Sequence, residues 1–174
     1  MNRQSTQHIR PITLGLLLSW LLLAARPAYA NTHPASIRAA AAPLLQTSCT
    51  LPATVTTANQ LRDCITAANN NGAALDTITL GADITLTSAL PQITTAITLE
   101  GAGYAIDGGN SIQLFNVGTT GDLTVKQATL QNGRSESGGG AIYNDGALTL
   151  INSTLAGNTA TNGGAIFNAT VSTV

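Results

Sequence analysis

The sequence predicts an all-β chain wound as a parallel β-solenoid, with one short helix ahead of the strands. Three observations predict it. The segment Gly139-Gly140-Ala141-Ile142-Tyr143-Asn144 returns as Gly163-Gly164-Ala165-Ile166-Phe167-Asn168, 24 residues later, and self-similarity at a fixed period marks a repeat architecture. From Thr77 onward apolar residues alternate with polar ones, many of them threonine, the period-two pattern of half-buried strands. Between those runs stand clusters of Gly, Asn and Asp, the residues that turn a chain tightly.

Composition bounds the answer. The chain has 174 residues, of which 44% are hydrophobic, 9% charged and 3% aromatic. It is too apolar to stay disordered and poor in charge for an ordinary globular surface. A net charge of −1 with a single lysine, Lys126, excludes nucleic acid as a partner, because phosphate binding needs clustered Lys and Arg.

Residues 1–30 read as a secretory signal. Arg3 and Arg10 form a positive start, Ile12 to Ala25 is an apolar run of 14 residues, and Ala28-Tyr29-Ala30 supplies a small–x–small cleavage site. A transmembrane anchor is the competing reading, but spanning a bilayer takes about 20 apolar residues. Cleavage after Ala30 leaves four basic residues against eight acidic ones and no transmembrane segment. Residues 31–48, with two prolines and no clear period, read as a linker. Residues 49–75 form an N-terminal cap, and 76–174 the repeats.

Both cysteines, Cys49 and Cys64, fall in the exported part, with 14 residues between them. Export permits a disulfide; two small buried hydrophobes is the alternative. The segment from Ala58 to Gly72 is the one helix. Thr57 with Gln60 fits a capping box, with Asn59 a rival N-cap; Leu61, Cys64, Ile65 and Ala68 share one apolar face, and Gly72 suits a left-handed end. Arg62 and Asp63 read as solvated charges off that face.

The strands follow as apolar pairs: Ile78 and Leu80, Ile84 and Leu86, Ile97 and Leu99, Leu123 and Val125, Leu148 and Leu150. Turn clusters at Gly81–Asp83, Asp107–Asn110, Gly118–Asp122 and Gly133–Gly140 separate them. Asp122–Gly133 aligns over Ala147–Asn158, which sets Leu123 on Leu148 and Leu130 on Leu155. The triplets Leu114-Phe115-Asn116, Ile142-Tyr143-Asn144 and Ile166-Phe167-Asn168 align likewise. Ala141, Ile142, Ala165 and Ile166 are then expected to face a narrow interior, Tyr143 and Phe167 to stack, and Asn144 and Asn168 to form an amide ladder. The pairs Gly139-Gly140 and Gly163-Gly164 allow the tight corner before each strand.

The succession ANQLRDCITAANNNG, DTITL, ITLTSALPQI, ITLEGAGYAIDGGN, LTVKQATLQNG and GGAIYN…GGAIFN resembles the secreted bacterial right-handed parallel β-helix proteins that start with a CSLREA-type segment. Its GGAI units are also similar to the polymorphic outer membrane protein repeats of chlamydial autotransporter adhesins, with Leu155 standing where their FxxN unit has Phe. The resemblance covers about Val55 to Asn168. It implies a pectate-lyase-like right-handed β-helix, exported to the cell surface or secreted, in a structural or adhesive role. It implies no particular ligand; surface glycans and host or cell-surface proteins are the candidate partners, and no cofactor is expected.

Some parallel β-helices are polysaccharide lyases or hydrolases, which need clustered carboxylates, with calcium in the lyases. Here Asp122 aligns with Ala147 rather than with Asp145, and Asp83 and Asp107 sit in turn clusters where short acids bond the backbone. No catalytic or metal-ligating residue is therefore assigned in this segment. Two alternatives stay open: the N-terminal part of a carbohydrate-active enzyme whose site lies beyond Val174, and an ice- or sugar-binding module with regular Thr-x-Thr on one face. The repeat register also leads us to expect further coils after Val174, and self-association through an uncapped C-terminal coil.

Overall fold

The computed structural model describes residues 49–72 and 74–169. The signal segment 1–30, the linker 31–48 and the tail 170–174 lie outside the described residues.

Described residues begin with β1 (Ala53–Val55) and α1 (Ala58–Asn71). Strands then follow as β2 (Asp76–Leu80), β3 (Ile84–Thr85), β4 (Ala96–Glu100), β5 (Ala105–Asp107), β6 (Phe115–Val117), β7 (Asp122–Lys126) and β8 (Thr129–Gln131). Next come β9 (Arg134–Gly138), β10 (Ile142–Asn144), β11 (Ala147–Ile151), β12 (Thr154–Ala156), β13 (Thr159–Asn162) and β14 (Ile166–Asn168). The protein is thus mostly β, with one helix among the described residues.

Every pairing between these strands is parallel. The first sheet runs β1-β2-β4-β7-β11, the second β3-β5-β8-β12, the third β6-β10-β14, and β9 pairs with β13 in a fourth. From β7 on, the chain visits first, second, fourth and third sheet in turn, then does so again. Each strand therefore lies beside its counterpart from the previous visit. Leu123 pairs with Leu148 and Leu130 with Leu155, the register expected from the sequence.

One apolar cluster joins the sheets. Ile78, Leu80, Ile97, Leu99, Leu123 and Val125 come from the first sheet, Ile84, Ile106 and Leu130 from the second, and Phe115, Val117 and Ile142 from the third. Full burial of each such side chain contributes about 1.5–3 kcal/mol relative to exposure. The helix adds Leu61, Cys64, Ile65 and Ala68 to the same cluster. Burial fades along each column: Leu123, Leu130 and Ile142 are fully buried, while Leu148, Leu155 and Ile166 are only partly so. Ala165 is likewise half-buried, not interior as expected.

The helix ends behave as its sequence predicts, with one change. Thr57 Oγ1 accepts from the Gln60 amide at 3.3 Å. The Gln60 side chain does not reach back to Thr57; its Oε1 accepts from Thr56 N at 2.8 Å. Gly72 closes the helix at φ 70°. Cys49 and Cys64 are joined in a disulfide that ties the helix to the segment before β1. Arg62 is not a free solvated charge: its Nη2 donates to Ser88 O at 3.0 Å and to Ser88 Oγ at 2.6 Å.

Two further expectations are corrected. The third-sheet alignment slips by one residue, so Ile142 pairs with Phe115 and Tyr143 with Asn116. A one-residue slip exchanges the two faces of a strand, and here it buries Phe115 and Val117. Asn116 then lies outside, accepting from Gln92 Nε2 at 3.0 Å. The segment Gly133–Gly140 is not all turn, since it contains β9, whose polar residues Arg134 to Ser137 carry no alternation to betray a strand. Strand β2 opens on Asp76, which is 5% exposed and accepts from Asn71 Nδ2 at 2.9 and 3.1 Å.

Candidate functional site

The corners between the first and second sheets are built from residues in the left-handed region. Ala102 (φ 51°), Gln127 (φ 49°) and Asn152 (φ 50°) occupy it in three successive corners. A side chain with a Cβ is held there only when its surroundings over-determine it. The backbone does so: Gly101 N donates to Lys126 O at 2.6 Å, Gly103 N to Gln127 O at 2.8 Å, and Gln127 N to Ile151 O at 2.9 Å. Each corner is thus templated on its neighbour.

A groove of about 520 Å³ runs along these corners, lined by Ala102, Gly103, Gln127, Ala128, Thr129, Asn152 and Thr154. None of these side chains is charged. Gln127, Asn152 and Thr154 are exposed and Thr129 is half-buried. Among the described residues, none of the four uses its side chain in a hydrogen bond. Tyr104 follows Gly103 in the chain, is 38% exposed, and accepts from Thr129 N through its carbonyl at 3.1 Å. The nearest cation in sequence, Lys126, is bound to Glu100 Oε1 at 2.8 Å.

A second, smaller groove of about 270 Å³ lies on β9 and β13, between Arg134, Ser135, Glu136, Thr159, Ala160 and Thr161. Two of its hydroxyls, those of Thr161 and Ser135, are engaged within the protein. Thr161 Oγ1 donates to Glu136 O at 2.7 Å, and Ser135 Oγ lies 3.2 Å from Ser137 Oγ.

The repeated GGAI units make the third-sheet corner. Gly139 and Gly163 sit at φ 59° and 53°, and a Cβ on either would run into the carbonyl oxygen three residues on, Ile142 O and Ile166 O. Gly140 and Gly164 join by a bond from Gly140 N to Gly164 O at 2.7 Å. Ala141 N donates to Ala165 O at 2.9 Å, and Ile142 pairs with Ile166. The Tyr143 and Phe167 ring centres are 5.4 Å apart, tilted by 33°. Asn144 Nδ2 donates to Asn168 Oδ1 at 2.8 Å. These residues hold one strand on the next.

Asp83 and Asp107 are engaged within the protein. Asp83 Oδ1 accepts from Ala105 N at 2.8 Å. Asp107 Oδ1 accepts from Gly109 N at 2.8 Å, and its Oδ2 from Gln131 Nε2 and Asn132 Nδ2, each at 2.8 Å. The Gly109 amide above all, helped by the two side-chain amides and opposed by burial, holds the Asp107 carboxyl below its usual range. Asp122 pairs with Ala147, as aligned. Among the described residues no cluster of three or more His, Cys, Asp or Glu is placed to hold a metal ion.

Threonine forms one ladder on the outer face of the first sheet, Thr77, Thr98, Thr124 and Thr149 in register. The neighbouring column reads Thr54, Thr79, Glu100, Lys126 and Ile151. Within the first sheet Thr-x-Thr therefore occurs in β2 alone, and its one further instance in a described strand, Thr159 and Thr161 of β13, lies in the fourth sheet, so the described first sheet carries no regular double row of an ice-binding face.

The corner groove was missed in the sequence. Its signal was there, since aligning Leu123 on Leu148 also sets Gln127 on Asn152, and asparagine is among the residues that enter the left-handed region. No helix among the described residues is long and apolar enough to cross a membrane. No protein-family model matches the chain, and neither does any curated protein or solved structure.

Proposed function

We propose that the chain is a right-handed parallel β-helix exported to the cell surface or secreted, where it serves a structural or adhesive role without catalysis in this segment. The winding is supported by the parallel pairing of β7 with β11, β8 with β12, β9 with β13 and β10 with β14. Parallel crossover connections are right-handed in about 98% of cases. Helix α1 is the cap of the first coil, since its apolar face lies in the cluster with the first-sheet residues Val55, Ile78 and Leu80. The kinship proposed is with CSLREA-type β-helix proteins and with polymorphic outer membrane protein repeats.

The observation that carries export is the Cys49–Cys64 disulfide, because such bonds persist in oxidising compartments. A non-catalytic role is supported by the engagement of Asp76, Asp83, Glu100 and Asp107 in bonds to the protein itself. Fractionation of producing cells with N-terminal sequencing tests the reading. The expected product starts at Asn31, lies outside the cytoplasm and is open to added protease. A cytoplasmic chain that keeps Met1 would overturn it.

A further inference from the structure

We propose that the corner groove between the first and second sheets binds an uncharged, extended saccharide chain. The inference deepens the adhesive reading and rests on it. Four features of the groove select this chemistry. First, Gln127, Asn152, Thr129 and Thr154 offer amides and hydroxyls that no other group of the protein uses among the described residues. Such groups both donate and accept, as sugar hydroxyls do, so each sugar hydroxyl finds a partner whichever way it is turned.

Second, the lining is neutral, and Lys126, adjoining Gln127, is already paired with Glu100. A uronate or sulfated chain would find no cation to offset the loss of its water. Third, the groove spans three corners in register. Parallel strands stand about 4.8 Å apart, so the run from Ala102 to Asn152 is about 10 Å. Equivalent groups on successive rungs match a ligand that itself repeats along a line, with its own repeat close to one pyranose ring. Fourth, Tyr104, which does not itself line the groove, is an exposed aromatic that follows the lining residue Gly103 in the chain. Aromatic faces cover apolar C–H surface while the phenol stays wet, which suits one face of a pyranose.

The left-handed corners also supply clean variants. Glycine adopts that backbone without strain, so Gln127→Gly and Asn152→Gly remove the amides and keep the corner. The experiment titrates the ¹⁵N-labelled full chain with cellohexaose, and in parallel with a galacturonic acid hexamer of the same length but anionic. Cellohexaose is expected to shift amides of residues 102–104, 127–129 and 152–154. The double glycine variant, and separately Tyr104→Ala, should weaken binding about tenfold or more, in line with the loss of one or two hydrogen bonds or a stacked face, with the melting temperature kept as a check on folding.

No shifts with cellohexaose, shifts elsewhere on the protein, or equal or tighter binding of the galacturonic acid hexamer would each overturn the proposal. So would a folded glycine variant with unaltered affinity. If a variant fails to fold, the shift map of the unaltered chain still decides. A surface-exposed chain that ignores cellohexaose sinks the groove and spares the export reading. A chain that binds cellohexaose but stays in the cytoplasm does the reverse.

Discussion

Leu123 and Leu148 form a paired experiment on one column of side chains. They are in register on β7 and β11, yet Leu123 is 0% exposed while Leu148 is only partly buried. Truncating a fully buried leucine to alanine costs about 2–5 kcal/mol, the lost transfer energy plus the cavity left behind. For Leu123→Ala we expect about 3–4 kcal/mol, because rungs on both sides, β4 and β11, hold the cavity open. Leu148→Ala should cost about 1–1.5 kcal/mol, since part of its transfer term is absent and the site can relax. At the scaling for domains of this size, the first loss lowers the melting temperature by about 10 °C and the second by about 4 °C. Circular dichroism melts of the full chain and the two variants measure this. Equal losses at the two positions would refute the inference that burial fades from β7 to β11, and would point to a covering element beyond β11.

Two further outcomes follow from single groups. Because the Asp107 carboxyl is held below its usual range by Gly109, Asn132 and Gln131, its stabilising effect is present above the unfolded value and lost as pH falls through the folded one. Denaturation between pH 6 and about pH 2 should therefore show a shallower acid loss for Asp107→Asn than for the unaltered chain; identical curves would remove Asp107 as a contributor. Gly139→Ala puts a Cβ on a residue at φ 59° and into Ile142 O, so several kcal/mol of stability should vanish, against about 1–2 kcal/mol for alanine at Gly109, which shares the left-handed backbone (φ 58°) but is exposed and meets no close backbone atom; comparable melts for the two variants would contradict the corner geometry.

Much of the molecule is written in short-range sequence. The helix, its buried face and its glycine stop follow from the spacing of Leu61, Cys64, Ile65 and Ala68 and from Gly72, because one turn of helix brings residues three and four apart together. The register of β7 on β11 and β8 on β12 follows from the 25-residue match, because similar segments pair like on like. The place of β6 is different. Nothing local to Leu114-Phe115-Asn116 says which residue faces inward; the neighbouring rung and the Gln92–Asn116 bond decide it. Strand β9 is invisible for the same reason, since its polar residues are held by a backbone ladder to β13 and bury no face. Asp76, Arg62 and Glu100 gain their partners across 5 to 26 residues of chain, and a charge alone does not name its partner. The groove belongs wholly to tertiary structure. Sequence places Gln127 and Asn152 one circuit apart, but only the left-handed corners, stacked by backbone hydrogen bonds, turn those two side chains and Thr129 and Thr154 into one concave strip.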